Sequence, residues 1–407
     1  MDKTILHCDL NNFYASVEAL AHPEYAGMPI VVCGNPELRH GIVLAKNQIA
    51  KEAGVLTGEP IWQSKQKCPD VVFLRPNFDK YVYYSNIVFN IYTGYTDRVE
   101  RFGIDECWLD VTESVPLFGD GESMAYKIKE EVKAKTGLTI SVGVSFTKTL
   151  AKLGSDLKKP DAVTVLSREN FKDKIYHLSP SELIMIGNKT AKKLKSLNIK
   201  TIGELANANR EILTSHFGII GGKMIDAAQG ISDEQVKHYY DKFVPKSVSH
   251  GTTTPKDIKT LNEAKTVIYA LSEMVAVRLR KYGLVANGVS LGIKDTLLQW
   301  EGKQKSLFTA TANAKTIGET AISILTEIHN FKSPLRAITV GAIRLDNADT
   351  YQLSFFSGDE DKQLSLEKAI DGIRNKYGYN SVKRGILIDN DILGNLHEDD
   401  DFLPFKR

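Results

Sequence analysis

Two neighbouring carboxylates, Asp105 and Glu106, stand at a turn in the stretch RFGIDECWLD, between the apolar positions Phe102/Ile104 and Trp108/Leu109. The flanking residues alternate as a strand does. Adjacent acids at a strand corner repel each other. If the corner is partly buried, one acid takes up a proton at a raised pKa, unless a cation supplies the missing positive charge. A divalent metal is the natural guest, and a solvated hairpin tip is the other reading of an isolated acidic pair.

A third acid favours the metal. Thr4 to Cys8 reads as a short buried strand with Asp9 at its end. Asn11 and Asn12 follow as cap residues for a helix that Phe13, Val17 and Leu20 continue. A carboxylate between a strand end and a helix start suits a cation bridging phosphate oxygens, with the helix amides holding the phosphate. Two such segments paired in one sheet would bring three carboxylates together. Three acids can hold two Mg²⁺, one activating an attacking hydroxyl and one neutralising a leaving pyrophosphate.

With 407 residues, 42% hydrophobic and 25% charged, the chain is long enough for two to four compact units. Its four cysteines, Cys8, Cys33, Cys68 and Cys107, have no CxxC spacing, which argues against a zinc site and a disulfide framework and fits a reducing cytoplasm. No apolar run approaches the roughly 18 residues of a membrane span. Net charge is only +2, yet its distribution is uneven. Five lysines without an acid lie between Gly187 and Lys200, and residues 244–346 carry 14 Lys plus Arg against 8 Asp plus Glu. Faces of this kind suit a polyanion.

Four segments, in this order and spacing, carry a resemblance: DLNNFYASVE (9–18), GIVLAKNQIAKEAGV (41–55), RFGIDECWLDVT (101–112) and SVGVSFTKTLAKLGSDLKKPD (141–161). Over roughly residues 1–360 the chain resembles the Y-family translesion DNA polymerases. It is closest to the bacterial branch that holds DNA polymerase IV, the polymerase V catalytic subunit and related UV-damage repair proteins. The resemblance implies an α+β multidomain, right-hand polymerase. Residues 1–10 and 78–166 would form a ferredoxin-like palm, 11–77 small fingers and 167–231 a helical thumb with a helix-hairpin-helix. A linker would follow over 232–246, then a βαββαβ little finger over 247–350 and a tail over 351–407.

The same resemblance implies roles. Asp9, Asp105 and Glu106 are the catalytic carboxylates and, with Leu10, hold two Mg²⁺. Phe13 and Tyr14 contact the nucleotide, Tyr14 as an aromatic gate against a 2′-hydroxyl. Gln48, Lys51 and Lys159 grip the triphosphate, and Ile42 and Leu44 roof the nascent base pair. The family's frequent Tyr and Arg are Gln48 and Lys51 here, a weaker or differently angled grip. Without the resemblance, the aromatic pair and Ile42/Leu44 read as core, and a lysine before Pro160 as a surface turn.

Beyond the palm, LIMIGNKTAKKLKSLNIKTIGELA (183–206) reads as a helix-hairpin-helix. Its Gly187 turn, with Lys189 and Lys192, would hold a DNA phosphate; the plainer reading is an αα-hairpin with a solvated lysine face. Residues 231–246 read as a charged tether. From Val248 the order is β-α-β-β-α-β, a ferredoxin-like split motif. Gln352, Leu353, Phe355 and Phe356 resemble a peptide that docks on the sliding clamp, with an edge strand as the other reading.

The function implied is low-fidelity, template-directed addition of dNTPs to a primed template by two-metal phosphoryl transfer. The enzyme is expected to be a cytoplasmic monomer serving DNA damage tolerance in the SOS response, without membrane contact. Two alternatives stay open: a non-catalytic DNA- and clamp-binding repair factor, and a metal-dependent phosphodiesterase. Tyr14, Lys51 and Lys159 argue against hydrolysis, which needs neither a sugar gate nor a triphosphate cradle.

Overall fold

The computed structural model describes residues 3–34, 41–241, 245–349, 360–388 and 392. These divide into two compact units, one ending at Asp241 and the other beginning after it. The strands of the first unit are β1 (Ile5–Leu10), β2 (Ile30–Cys33), β3 (Val43–Lys46), β4 (Val72–Leu74), β5 (Val99–Arg101), β6 (Glu106–Asp110), β7 (Ile140–Ser145) and β8 (Val163–Val165). Five of them form one sheet in the order β5-β6-β1-β7-β8. Neighbours among β5, β6, β1 and β7 run antiparallel, and β8 adds parallel to β7. The order β7-β1-β6-β5 is the 4-1-3-2 arrangement of a ferredoxin-like βαββαβ core.

Period-two alternation sorts the faces of β1. Leu6, Cys8 and Leu10 join the main core with Tyr81, Val88, Met124 and Ile128, from the helices Phe78–Thr93 and Gly121–Thr136. Ile5, His7 and Asp9 face the other way, toward the helix Lys148–Leu157. That helix lies unusually close to β7. A Cβ on Gly143 would sit 1.9 Å from the Ala151 carbonyl oxygen, so only glycine permits the approach. Thr147 caps its first turn by accepting from the Leu150 N–H, and the Trp108 indole N–H donates to the Lys148 carbonyl at 2.9 Å.

A separate three-stranded sheet, β3-β2-β4, has its own small core of Val31, Val43, Ala50 and Val55. The preceding helix Phe13–Ala21 sends Phe13 and Val17 into the main core instead. Asn12 occupies its N-cap position at φ 50° without a side-chain cap, so the expected cap is corrected. Asn11 is used tertiarily: its amide donates to Ser141 Oγ and accepts from Thr139 Oγ1 and the Asp161 N–H.

Residues 171–228 are helical around Leu194, Leu205, Leu213 and Ile225. Gly187 caps the helix Asn188–Ser196, which follows a 3-10 turn, Pro180–Glu182, and leads through residues 197–201 to the helix Ile202–Ala206, opened by a capping box of Thr201 and Glu204. The expected charged tether is pinned in its first part. Val236 is buried with Ile5, Trp108 and Ala151, and the Tyr239 N–H donates to the Asp97 carbonyl.

The second unit contains β9 (Ser247–Ile258), β10 (Leu284–Asp295), β11 (Trp300–Thr311) and β12 (Leu335–Asn347), with helices Leu261–Lys281, Ala314–Ile328 and Glu360–Tyr377. The β-α-β-β-α-β succession is present. The sheet order is β11-β10-β12-β9, however, which is not the ferredoxin-like order expected for it. Both helices of the motif pack on one face. The opposite face carries small polar rows across the strands, Ser249–Gly341–Ser290–Gln304 and Gly251–Thr339–Gly292–Gly302. The last helix is held by buried ions. Glu273 accepts from Arg374, Tyr379 and Arg384, while Arg280 pairs with Glu367 and Asp371.

Candidate active site

Pairing of β1 with β6 sets Asp9 directly opposite Glu106. The Leu10 N–H donates to the Asp105 carbonyl at 3.0 Å, which brings the third acid to the same strand ends. All three line a cleft of about 340 Å³ with Leu10, Phe13, Tyr14, Leu44, Lys46 and Lys159. Residues far apart in the chain thus converge because two strands and one corner share a register.

Lysines stand among the acids. Lys159 Nζ is 2.6 Å from Asp9 Oδ2 and 2.7 Å from Asp156 Oδ1. Lys152 Nζ lies 3.0 Å from Asp9, 3.2 Å from Glu106 and 3.2 Å from Asp156. Lys152, Asp156 and Lys46 are site residues that sequence reasoning missed. Lys46 had a signal, since it lies two residues beyond Leu44 on β3 and so shares its face. Its ammonium donates to Thr57 Oγ1 at 2.9 Å, and burial, then Lys51, lowers its pKa.

Burial, together with the charges of Asp9 and Glu106, raises the Asp105 carboxyl to about 6. Burial also raises Asp9, against the pull of Lys159 and Lys152. At Glu106 burial is outweighed by His7 and Lys152, which hold the carboxyl at about 2. His7 sits wholly buried behind it. Ser155 Oγ donates to the Lys152 carbonyl, so His7 Nδ1–H donates to Ser155 Oγ at 2.9 Å. His7 Nε2 faces Glu106 Oε2 at 3.3 Å, and it is a proton on Nε2 that lets His7 lower the Glu106 carboxyl, although neither buried atom completes a hydrogen bond.

Tyr14 forms a braced wall of the cleft. It stacks on Tyr81, whose hydroxyl donates to buried Glu18, and meets Phe78 edge-on. Burial and then the Asp105 charge raise its phenol to about 12. Phe13 contributes to the lining, but its side chain is core. Ile42 is exposed, while Leu44 reaches the cleft. Gln48 and Lys51 are not brought to it: Gln48 donates to Glu52 on its own helix, and Lys51 is exposed. Gly187, Lys189 and Lys192 are exposed, with open space where a Gly187 side chain would be. Gln352, Leu353, Phe355 and Phe356 lie outside the described residues.

Among the described residues no group of three or more carboxylate, imidazole or thiolate side chains is already arranged to hold a metal ion. The donor chemistry nevertheless fits a hard divalent cation. Three carboxylates share one end of the sheet, one is raised by burial and then by its neighbours' charge, and buried Glu106 Oε2 lacks a donor.

Comparison with known proteins agrees with this geometry. Residues 8–156 match the impB/mucB/samB family, and residues 245–355 match the impB/mucB/samB family C-terminal domain. DNA polymerase IV of Acetivibrio thermocellus is 44% identical over 391 residues, covering 95% of this chain and 98% of that protein. DNA polymerase IV of Pelotomaculum thermopropionicum is 35% identical, covering 94% and 95%. A solved Y-family DNA polymerase chimera, Dbh-Dpo4(243-245)-Dbh, superposes with TM-score 0.76 at 25% identity, over 84% of this chain and 98% of its own. With the acids paired across β1 and β6 and relatives matched over nearly their whole length, the chain belongs to the Y-family translesion DNA polymerases, the impB/mucB/samB family.

Proposed function

We infer that this chain is a template-directed translesion DNA polymerase, extending a primer 3′ end with dNTPs in DNA damage tolerance. The observation that carries the reading is the Asp9–Glu106 pair beside Asp105, in a cleft walled by Tyr14. Asp9, Asp105 and Glu106, with Leu10 beside them, would hold two Mg²⁺. Bound there, the ions would favour ionisation of the primer hydroxyl and neutralise the departing pyrophosphate.

The protein's own groups do the rest. Lys159, helped by Lys46, offers positive charge to the triphosphate, and Lys51, whose charge reaches Lys46 although neither it nor Gln48 lines the cleft, would add to that field. Tyr14 would close the space below the sugar, and Leu44 on β3, with Ile42 just before that strand, would roof the nascent base pair. The primer oxygen attacks the α-phosphorus as the bond to pyrophosphate breaks.

The domain reading has support in the fold. The five-stranded sheet suits a palm, the three-stranded unit small fingers, residues 171–228 a thumb and the four-stranded unit a little finger. The rows of glycine, serine and threonine on the last sheet leave backbone and hydroxyls open to a phosphate chain. Gly187, Lys189 and Lys192 would add backbone contacts without reading sequence. We assign clamp binding to Gln352, Leu353, Phe355 and Phe356, and expect a monomer in the cytoplasm; no helix among the described residues is long and apolar enough to cross a membrane.

Primer extension with Mg²⁺ and dNTPs, opposite intact and damaged templates, tests the reading. Wild type extends, and Asp9→Asn, Asp105→Asn and Glu106→Gln each lose about 10³-fold or more. A wild type that extends no primer would overturn it.

A further inference from the structure

Lys152 and Lys159 occupy the carboxylates that a divalent cation needs. Lys152 bridges Asp9 and Glu106, and Lys159 holds Asp9. Both also touch a fourth acid, Asp156, which lies on the same helix as Lys152, four residues along. Taking an ammonium off a buried carboxylate is costly when nothing receives it. Asp156 is such a receiver, and its side chain is 37% exposed against 7% for Asp9 and 20% for Glu106. The charge count agrees. Asp9, Asp105, Glu106 and Asp156 against Lys152 and Lys159 leave two negative charges, the complement of one divalent ion.

We propose that Asp156 is a positioning residue of the active site, a fourth carboxylate that takes Lys152 and Lys159 away from Asp9 and Glu106 when a divalent cation enters. The inference rests on the polymerase reading for which cation is used, but its geometry is independent of catalysis. Lys152 is thereby a stand-in for the cation. Asp156 then keeps Lys159 aimed toward the triphosphate after Asp9 has been released.

The test is a double-mutant cycle on Mn²⁺ affinity, read by electron paramagnetic resonance of free Mn²⁺ with the full chain and without DNA or nucleotide. Lys152→Gln tightens binding, because two acids lose their competitor. Asp156→Asn weakens it about tenfold in the wild-type background but less than about threefold in the Lys152→Gln/Lys159→Gln background, since its effect passes through those two ammoniums. Asp156→Glu restores wild-type affinity to within about threefold, and melting temperatures confirm that each variant is folded. An equal or larger shift in both backgrounds would mean that Asp156 acts only as bulk negative charge, and no shift in wild type would remove its role. Either result sinks the proposal even if wild type extends primers. Failure of primer extension with the cycle as expected would sink the polymerase reading alone.

Discussion

Tyr14 stacks flat on Tyr81, with ring centroids 4.2 Å apart and planes 9° from parallel. Tyr81 is itself fully buried and donates its hydroxyl to Glu18. A ring braced in this way resists swinging aside, which is what the proposed gate against a larger sugar requires.

Replacing Tyr14 by Ala removes the wall and leaves its support. Discrimination against ribonucleotides should fall by at least about tenfold in kcat/KM ratio, while dNTP incorporation persists. Single-nucleotide insertion with paired dNTP and rNTP measures it. An unchanged sugar preference would return Tyr14 to the core.

Asp105 carries a pH signature when metal is chelated. Its folded pKa of about 6 lies above the ordinary 3.8, so the folded state binds the extra proton and loses stability as pH rises from about 4 to 6. Asp105→Asn should therefore raise stability at pH 7 by about 1–2 kcal/mol, less than the full shift because the carboxyl is partly solvated. The gain should fade as pH drops toward 4. Urea unfolding in EDTA at the two pH values reads it, and a gain equal at both would contradict the assignment.

Gly143 sets the depth at which the Lys152 helix docks. A methyl group there meets the Ala151 carbonyl and the Ser155 N–H, so Gly143→Ala must push the helix from the sheet. We expect a loss of roughly 1–3 kcal/mol. Thermal melting would reveal it, together with lost activity from displaced Lys152 and Lys159; full stability and activity would show that the contact relaxes freely.

Glu273 anchors the last described helix of the second unit. Its carboxylate accepts from three side chains while 5% exposed, so Glu273→Gln should destabilise this unit by about 3 kcal/mol. Limited proteolysis should then cut within residues 360–388 sooner than in wild type. Equal protection would show that apolar contacts alone hold the helix.

Deleting residues 352–356 tests the clamp peptide. Basal primer extension should persist, and stimulation by the sliding clamp should vanish. Stimulation equal to that of the intact chain would assign the segment a structural role.

Alternation and capping residues, which are local, made much of this molecule legible in its sequence. The strand ending at Asp9, the corner at Asp105 and Glu106, and the helices around Tyr81, Lys129 and Lys152 follow from periodicity over a few residues. The acids could be named because carboxylates at apolar strand ends are out of place without a cation. Lys152, by contrast, reads as a solvated helix residue until the sheet lies beneath it, since its partner Asp9 is 143 residues away. Asp156 and His7 are hidden for the same reason. The sheet order of the second unit, the ion-latched helix Glu360–Tyr377 and the seating of Val236 against Trp108 also depend on long-range packing. Local pattern determines which face of an element is apolar; which partner covers that face, and which charges meet there, is decided only when distant segments compete for the same surface.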